Sequence, residues 1–281
     1  METRVSSATK EVIISDKRPT VLIGERINPT GNKRLAAALQ AGDLELVRQE
    51  ALEQVQANAD ILDVNVGAAG VDETVLLPQA IQAVMDVVDV PLCIDSSKPK
   101  AIEAALKVYR GKPLINSVTG QECSLKEVLP LVKEFNAAVI GLTMDDDEGI
   151  PKTVDKRVFI AHKIVERAEA LDIPREDIII DCLNMPAAAD SKASLIIIEA
   201  IRRIKAELGV NMTLGGSNVS FGLPDRNLIN GVFLAIALEA GVTCPVVDVA
   251  KIRQAVLAID ALMDRDMYMR RFIQDYRERN K

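Results

Sequence analysis

Aspartate and asparagine dominate the polar residues that end the short apolar runs of this sequence. A carboxylate accepts two hydrogen bonds from an amino-pyrimidine edge, and a carboxamide both donates and accepts. Such a set suits a flat nitrogen heterocycle, and a pterin matches it. Any single one of these side chains could instead hydrogen-bond the backbone of a loop. The candidates are Glu25, Asn28, Asp63, Asn65, Asp95, Ser96, Asn116, Ser117, Asp181, Asn184, Ser217, Asn218 and Ser220.

The histidine and cysteine content argues against nucleophilic catalysis by a Ser–His or Cys–His pair and against a zinc site. The one histidine, His162, lies in the helix-compatible segment FIAHKIVERA, so a Ser–His or Cys–His pair at a strand end has no histidine available. The four cysteines are far apart, and no two have the spacing of zinc ligands. We therefore expect reduced thiols, no protein-bound metal and no nucleophile–base pair.

The elements that position the polar residues form a regular alternation. Apolar runs of this length without polar alternation are typical of parallel strands that are buried on both faces. Segments with helical spacing separate them. The predicted strands are 20–27, 61–67, 91–96, 113–118, 137–144, 177–183, 212–219 and 244–249, and the predicted helices are 43–58, 72–88, 99–109, 124–135, 153–171, 191–208, 226–240 and 250–262.

Eight strand–helix units in succession predict an α/β fold, a single-domain (β/α)8 TIM barrel over residues 20–262. The C-terminal ends of the strands then share one mouth, where barrel enzymes place their sites. A doubly wound open sheet is the alternative, but the first run is followed by NPTGNK rather than by a G-x-G-x-x-G loop. Residues 1–19 are expected to form an N-terminal extension.

Charge and hydropathy exclude two classes of partner. With 41 acidic and 34 basic residues, the formal charge of -7 argues against nucleic acid. No apolar run is long enough for a membrane span, and the N-terminus lacks the apolar core of a signal peptide, so a cytoplasmic protein is expected. Residues 263–281 predict a charged C-terminal helix, either solvated, packed outside the barrel or bound to a partner.

Six motifs together resemble the pterin-binding methyltransferases, from about residue 20 to residue 262. This family includes the folate domain of cobalamin-dependent methionine synthase and the methyltetrahydrofolate:corrinoid/iron-sulfur protein methyltransferases. The motifs are GERINPTGNKR (24–34), LDVNVG (62–67), PLCIDSS (91–97), INSVTG (115–120), IIDCL (179–183) and GGSNVSFGLPDR (215–226). The resemblance implies a homodimeric enzyme that moves a methyl group between N5 of tetrahydrofolate and the cobalt of a corrinoid.

The resemblance also implies roles for individual residues. Asp95, Asn116 and Asp181 would hydrogen-bond the pterin ring, and Asn218 would lie near N5. Because N5 is a poor leaving group without electrophilic help, a hydrogen-bond network of Asn218 with Asp95 or Asp181 is expected to favour positive charge there. The remaining substrate-binding residues expected are Glu25, Gly215, Gly216, Ser217 and Arg226, of which Arg226 would meet the aminobenzoyl-glutamate tail.

Two alternatives and several details stay open. A dihydropteroate synthase-like enzyme would be expected to carry an N-x-T-P-D-S-F-type first loop and a closing motif with Lys, Arg and His, neither of which is present. A non-catalytic folate-binding or corrinoid-docking module would be favoured by loss of Asn218, which is present. The chain lacks the D-x-H-x-x-G motif of corrinoid carriers, so a corrinoid-binding protein is expected as partner. The direction of transfer and the role of the acidic loop at 145–151 are not determined.

Overall fold

The computed structural model describes residues 1–190 and 192–280, and it confirms the barrel. Eight parallel strands follow one another in the order β10-β3-β4-β5-β6-β7-β8-β9. A parallel bridge between Gly215 and Val246 brings the end of β9 against β10 and closes the ring. The strands are β3 (Ile23–Ile27), β4 (Ile61–Asn65), β5 (Leu92–Asp95), β6 (Leu114–Thr119), β7 (Ala138–Leu142), β8 (Ile178–Asp181), β9 (Asn211–Thr213) and β10 (Val246–Val247).

Helices connect the strands and cover the outside of the barrel. They are α1 (Lys33–Gln40), α2 (Glu45–Gln56), α3 (Glu73–Met85), α4 (Pro99–Leu106), α5 (Glu122–Glu134), α6 (Val154–Glu169), α7 (Ala193–Leu208), α8 (Arg226–Ala240) and α9 (Val249–Leu262). The first, α1, was not predicted; the Asn32 side chain accepts from the Leu35 amide and caps it. Ser191, where the sixth predicted helix (191–208) begins, lies outside the described residues.

An N-terminal hairpin lies across the bottom of the barrel. Its strands are β1 (Thr3–Ser6) and β2 (Glu11–Ile14). The Asn211 Nδ2 atom at the start of β9 donates to Thr3 Oγ1 at 2.9 Å and to the Ile14 carbonyl at 3.0 Å. Val5, Val12 and Ile14 pack against the lowest interior side chains of the barrel. The hairpin thus caps the end opposite the strand C-termini.

Two separate apolar clusters reflect the two-residue period of the strands. Leu62, Val64 and Ile94 point outward into the large core between sheet and helices. Alternate residues, such as Ile61 and Cys93, point inward and form the interior cluster. On β3, β4, β5, β6 and β8 the inward-facing residues change from apolar at the bottom of the barrel to polar at its mouth.

The C-terminal segment packs on the outside of the barrel. A 3-10 turn at Met267–Met269 leads into α10 (Arg270–Arg279). Arg253 of α9 forms an ion pair with the buried Asp275, whose second oxygen accepts from Arg279 Nε at 2.7 Å. Lys281, the last residue of the predicted helix, lies outside the described residues. Across the described residues, we find no helix that is both long and apolar enough to cross a bilayer.

Candidate functional site

Strands β4, β5 and β6 place four polar side chains side by side at the mouth. Asn65, Asp95 and Asn116 are cross-strand neighbours in the parallel register. Asn65 Nδ2 donates to Asp95 Oδ2 at 2.9 Å, and Asn116 Nδ2 donates to Asp63 Oδ1 at 3.1 Å. Asn65 therefore orients a carboxylate on the neighbouring strand, and Asn116 orients one that lies two strands away. These residues lie directly above the apolar interior of the barrel.

The two carboxyl groups of this set, Asp63 and Asp95, both have raised pKa values. Asp63 is 2% exposed, and burial raises its pKa. Burial raises the pKa of Asp95 well above its usual range, and the nearby charge of Asp63 raises it further. Two adjacent carboxylates in a desolvated site repel one another, so the pair binds a proton more tightly than a free carboxyl group does, with Asp95 the favoured carrier. The pair can thus offer both a hydrogen-bond donor and acceptors.

Asp181 ends β8 on the other side of the mouth. Its neighbours in register, Leu142 on β7 and Thr213 on β9, are uncharged. One carboxylate oxygen accepts from the Leu183 amide at 2.6 Å. Burial raises the pKa of Asp181 to about 6, while the Leu183 amide and the guanidinium of Arg157 act in the opposite direction. Asp181 can therefore change its protonation state near neutral pH.

The loop after β9 brings Asn218 over the mouth. Its side chain is exposed, and the described residues offer its carboxamide no hydrogen-bond partner. The carboxamide lies against Gly215, where an added Cβ would stand 2.7 Å from Nδ2. Asn184, which follows β8, donates to the Gly215 carbonyl at 3.4 Å. The ends of β8 and β9 thus converge beneath a free amide group.

Gly216, Ser217 and Arg226 hold this loop in place. A Cβ at Gly216 would stand 2.7 Å from Val247 Cγ1, so the glycine permits close packing against β10. Ser217 Oγ donates to Glu25 Oε1 at 2.6 Å. Arg226 donates from Nη2 to the Ser217 carbonyl at 2.9 Å and from Nε to Ser220 Oγ at 3.0 Å. These contacts tie the loop both to β3 and to α8.

A cavity of about 210 Å³ adjoins the loop between β3, α8 and α9. It brings together Glu25, Ser217 and Arg226, all predicted from the sequence, with Asp248 and Lys251, which were not. Lys251 Nζ is 2.6 Å from Asp248 Oδ2. Burial raises the pKa of Glu25. The cavity is therefore lined by groups of both signs.

Thr143 was not among the candidates selected from the sequence, whereas Asp63 and Asn184 were candidates to which no role was assigned. The spacing of two between Asp63 and Asn65 places both on the inward face of β4. Thr143 Oγ1 and Asn184 Oδ1 are buried at the mouth without a hydrogen-bond partner. Such unpartnered polar atoms are expected where a ligand supplies the missing partner. His162 lies on the outside of the barrel on α6, with Nε2 2.8 Å from Glu207.

The donor set at the mouth determines the kind of ligand it fits. Carboxyl groups, carboxamides and unpartnered acceptors surround an apolar floor, which matches a flat heterocycle with several N–H donors. Within the described part of the chain, His, Cys, Asp and Glu form no group of three or more suited to a metal ion. The fold and the site thus define an α/β-barrel protein for a flat, hydrogen-bonding ring.

Comparison with known proteins identifies the family. A family model for pterin binding enzymes matches residues 24–248. The chain belongs to the pterin binding enzyme family.

Two curated relatives match most of the chain, each at 31% identity. The chain is 31% identical over 268 residues to a methylcorrinoid:tetrahydrofolate methyltransferase of Eubacterium limosum, covering 92% of this chain and 96% of that protein. It is also 31% identical over 285 residues to the methionine synthase of Mycobacterium leprae, covering 94% of this chain. The match spans 24% of that methionine synthase, so it concerns one part of a longer protein.

Solved structures support the fold. The dihydropteroate synthase of Yersinia pestis, with a pterine-sulfa conjugate, has a TM-score of 0.68 at 17% identity, over 94% of this chain and 100% of that chain. The Xanthomonas albilineans enzyme, with 7,8-dihydropteroate, has a TM-score of 0.64 at 21% identity, over 92% and 98%. At these identities the similarity establishes the fold alone.

Proposed function

We propose that this protein is a methyltransferase that moves a methyl group between N5 of tetrahydrofolate and the cobalt of a corrinoid carried by another protein. The observation that carries the proposal is the layer of buried Asp63 and Asp181 and half-buried Asp95 and Asn116, with the free carboxamide of Asn218 above it. The relative from Eubacterium limosum, matched over nearly its whole length, is named for this reaction.

The polar layer accounts for recognition of the pterin. The pyrimidine edge of a pterin presents an amino group and ring N–H donors, which carboxylates accept. Asp181 and the Asp63–Asp95 pair supply those acceptors, and Asn116 supplies a group that is already oriented by Asp63. A desolvated hydrogen bond to a charged group contributes about 1.5–3 kcal/mol. Several such bonds fix the ring in one orientation, which sets the position of N5.

Protonation at N5 is the chemical problem that the site must solve. Displacement of the methyl group from an unprotonated N5 would expel a very poor amide-like anion, so a positive charge at N5 has to be favoured as the bond breaks. The Asn218 carboxamide is free to orient its oxygen towards that charge. Asp181, whose pKa is about 6, can hold or release a proton near neutral pH. The same groups serve transfer in either direction.

The open mouth of the barrel leaves room for a corrinoid that is bound to a partner protein. Asn218 is exposed rather than covered, so a second protein can approach N5 from above. In-line transfer needs the two reacting centres held close together, and positioning of this kind supplies much of the rate acceleration. The acidic segment Asp145–Glu148 lies beside the mouth, with Lys156 paired to Asp145 at 2.8 Å. We include it in the surface that the carrier approaches.

An anaerobic spectroscopic assay tests the proposal. Purified protein is mixed with tetrahydrofolate and free methylcobalamin, and the visible spectrum is followed for conversion to cob(I)alamin. The proposal predicts conversion that requires both protein and tetrahydrofolate. If no conversion occurs with free methylcobalamin or with methylated corrinoid proteins, although tetrahydrofolate binds, the proposal is wrong.

We also propose that the enzyme is a homodimer joined through α8 and α9. The exposed face of α8 carries Leu228, Val232 and Ile236 at four-residue spacing, and Leu262 is exposed at the end of α9. Two copies can bury such a row of exposed apolar side chains against each other. Sedimentation velocity should therefore show a dimer that Val232→Glu converts to monomers. The same change at Leu52, an exposed leucine on α2, should leave the dimer intact; a monomeric wild type contradicts this proposal.

A further inference from the structure

Arg157 is a buried arginine whose guanidinium contacts the turn after β8. It lies on α6 and is 3% exposed. Its hydrogen-bond partners within the described residues are backbone carbonyls rather than carboxylates, and its Nε atom has none. Burial of a guanidinium without a paired carboxylate is expensive, because the charge loses its hydration. Burial also lowers the pKa of Arg157. The contacts of Arg157 should therefore show what this costly buried charge does.

Those contacts are with the turn that carries Asp181. The Nη1 atom of Arg157 donates to the carbonyl of Cys182 and, at 3.3 Å, to that of Leu183. Leu183 has a φ of 57°, a left-handed conformation that a leucine rarely adopts. From the other side, the Leu183 amide donates to Asp181. Arg157 and Asp181 therefore hold the same turn, one through its carbonyls and the other through its amide.

Arg157 also supplies the positive charge that acts on Asp181. The register neighbours Leu142 and Thr213 are uncharged. The nearby thiols of Cys182 and Cys244 remain neutral because burial raises their pKa values, that of Cys244 to about 12. The guanidinium of Arg157 partly offsets the effect of burial on the pKa of Asp181. Removal of the guanidinium would thus alter both the orientation and the proton affinity of this carboxylate.

We propose that Arg157 is a positioning residue for methyl transfer: it clamps the 181–184 turn so that Asp181 and Asn184 face the pterin, and it places a positive charge beside Asp181. The role of Asp181 in transfer rests on the proposed function. The effect of Arg157 on the turn and on the charge of Asp181 does not, because both are properties of the protein without ligand.

Three variants separate the clamp from the charge. Arg157→Met removes both, Arg157→Lys retains the charge but loses the planar guanidinium whose Nη1 donates to both carbonyls, and Arg253→Met removes a half-buried arginine from α9 that pairs with Asp275. The titration midpoint of Asp181 is read from its carboxyl 13C shift in the ligand-free protein and assigned with Asp181→Asn. The rate constant and KM of methyl transfer are then measured against pH.

We expect the Asp181 midpoint to rise in Arg157→Met and to stay near the wild-type value in Arg157→Lys and Arg253→Met. We expect the transfer rate to fall roughly tenfold to a hundredfold in Arg157→Met, and by a smaller factor in Arg157→Lys, with KM little changed. An unchanged midpoint and pH profile in a folded Arg157→Met overturns the proposal. If Arg157→Met does not fold, Arg157→Lys decides: a lower rate at unchanged KM supports the clamp, and a wild-type rate overturns it. A wild type without activity refutes the proposed function instead, because the carboxyl titration needs no turnover.

Discussion

Replacement of Asp181 by asparagine should stabilise the free protein, by an amount that depends on pH. Burial raises the pKa of Asp181 from 3.8 to about 6. At about 1.36 kcal/mol per pKa unit, ionised Asp181 costs the folded protein about 3 kcal/mol above pH 6. Because the folded state binds this proton more tightly than the unfolded chain, the cost grows between pH 3.8 and 6 and is absent below that range. At pH 4.5 it is about 1 kcal/mol.

Asparagine retains an oxygen that accepts from the Leu183 amide and carries no charge at any pH. Urea unfolding followed by circular dichroism should therefore show Asp181→Asn more stable than the wild type by up to about 3 kcal/mol at pH 7.5 and about 1 kcal/mol at pH 4.5. Asp172→Asn is the control, because the Asp172 side chain is 92% exposed. A stability difference for Asp181→Asn that is the same at both pH values, or destabilisation at both, would refute the burial argument.

Three further substitutions test other parts of the site. Asn218→Ala should lower the methyl-transfer rate about a hundredfold with little effect on stability, whereas Asp43→Ala, at the start of α2, should leave the rate unchanged; equal effects would remove Asn218 from the mechanism. Gly215→Ala places a Cβ 2.7 Å from Asn218 Nδ2, so it should displace the carboxamide and reduce the rate of a folded protein, and a wild-type rate would contradict this geometry. Asp95→Ala should weaken tetrahydrofolate binding by about 1–3 kcal/mol by calorimetry, and unchanged affinity in a folded variant would mean that the pterin site is misplaced.

The barrel itself was predictable from periodicity, because eight buried strands alternate with amphipathic segments of helical spacing. Two local features were not. The hairpin formed by β1 and β2 has too short an apolar pattern to distinguish it from an extended terminus, and α1 depends on the Asn32 cap in a segment without a long periodic face. The first predicted helix, 43–58, corresponds to α2, which begins at Glu45, and Asp43 precedes it and accepts from the Glu45 amide. Helix ends are decided by single hydrogen bonds, which periodicity does not record.

The site was predictable as a set of strand-end residues, but its internal pairing was not. Sequence spacing cannot show that Asn116 orients Asp63 across two strands, since this follows from the register of the closed sheet. The raised pKa values of Asp63 and Asp95 likewise depend on burial and proximity in three dimensions. Arg157 lay within a predicted helix and gave no signal, because its partners are backbone carbonyls of a distant turn.

Product analysis with labelled methyl groups tests the central claim most directly. Methylcobalamin that carries a 13C-methyl group, or the same corrinoid on a carrier protein, is incubated anaerobically with tetrahydrofolate and the enzyme, and the folate is analysed by NMR. We predict that the label appears on N5 of the folate in amounts equal to the cob(I)alamin formed. Label that stays on cobalt, together with formation of 7,8-dihydropteroate when p-aminobenzoate and a dihydropterin diphosphate are supplied, would contradict the proposal and assign the site to pterin condensation.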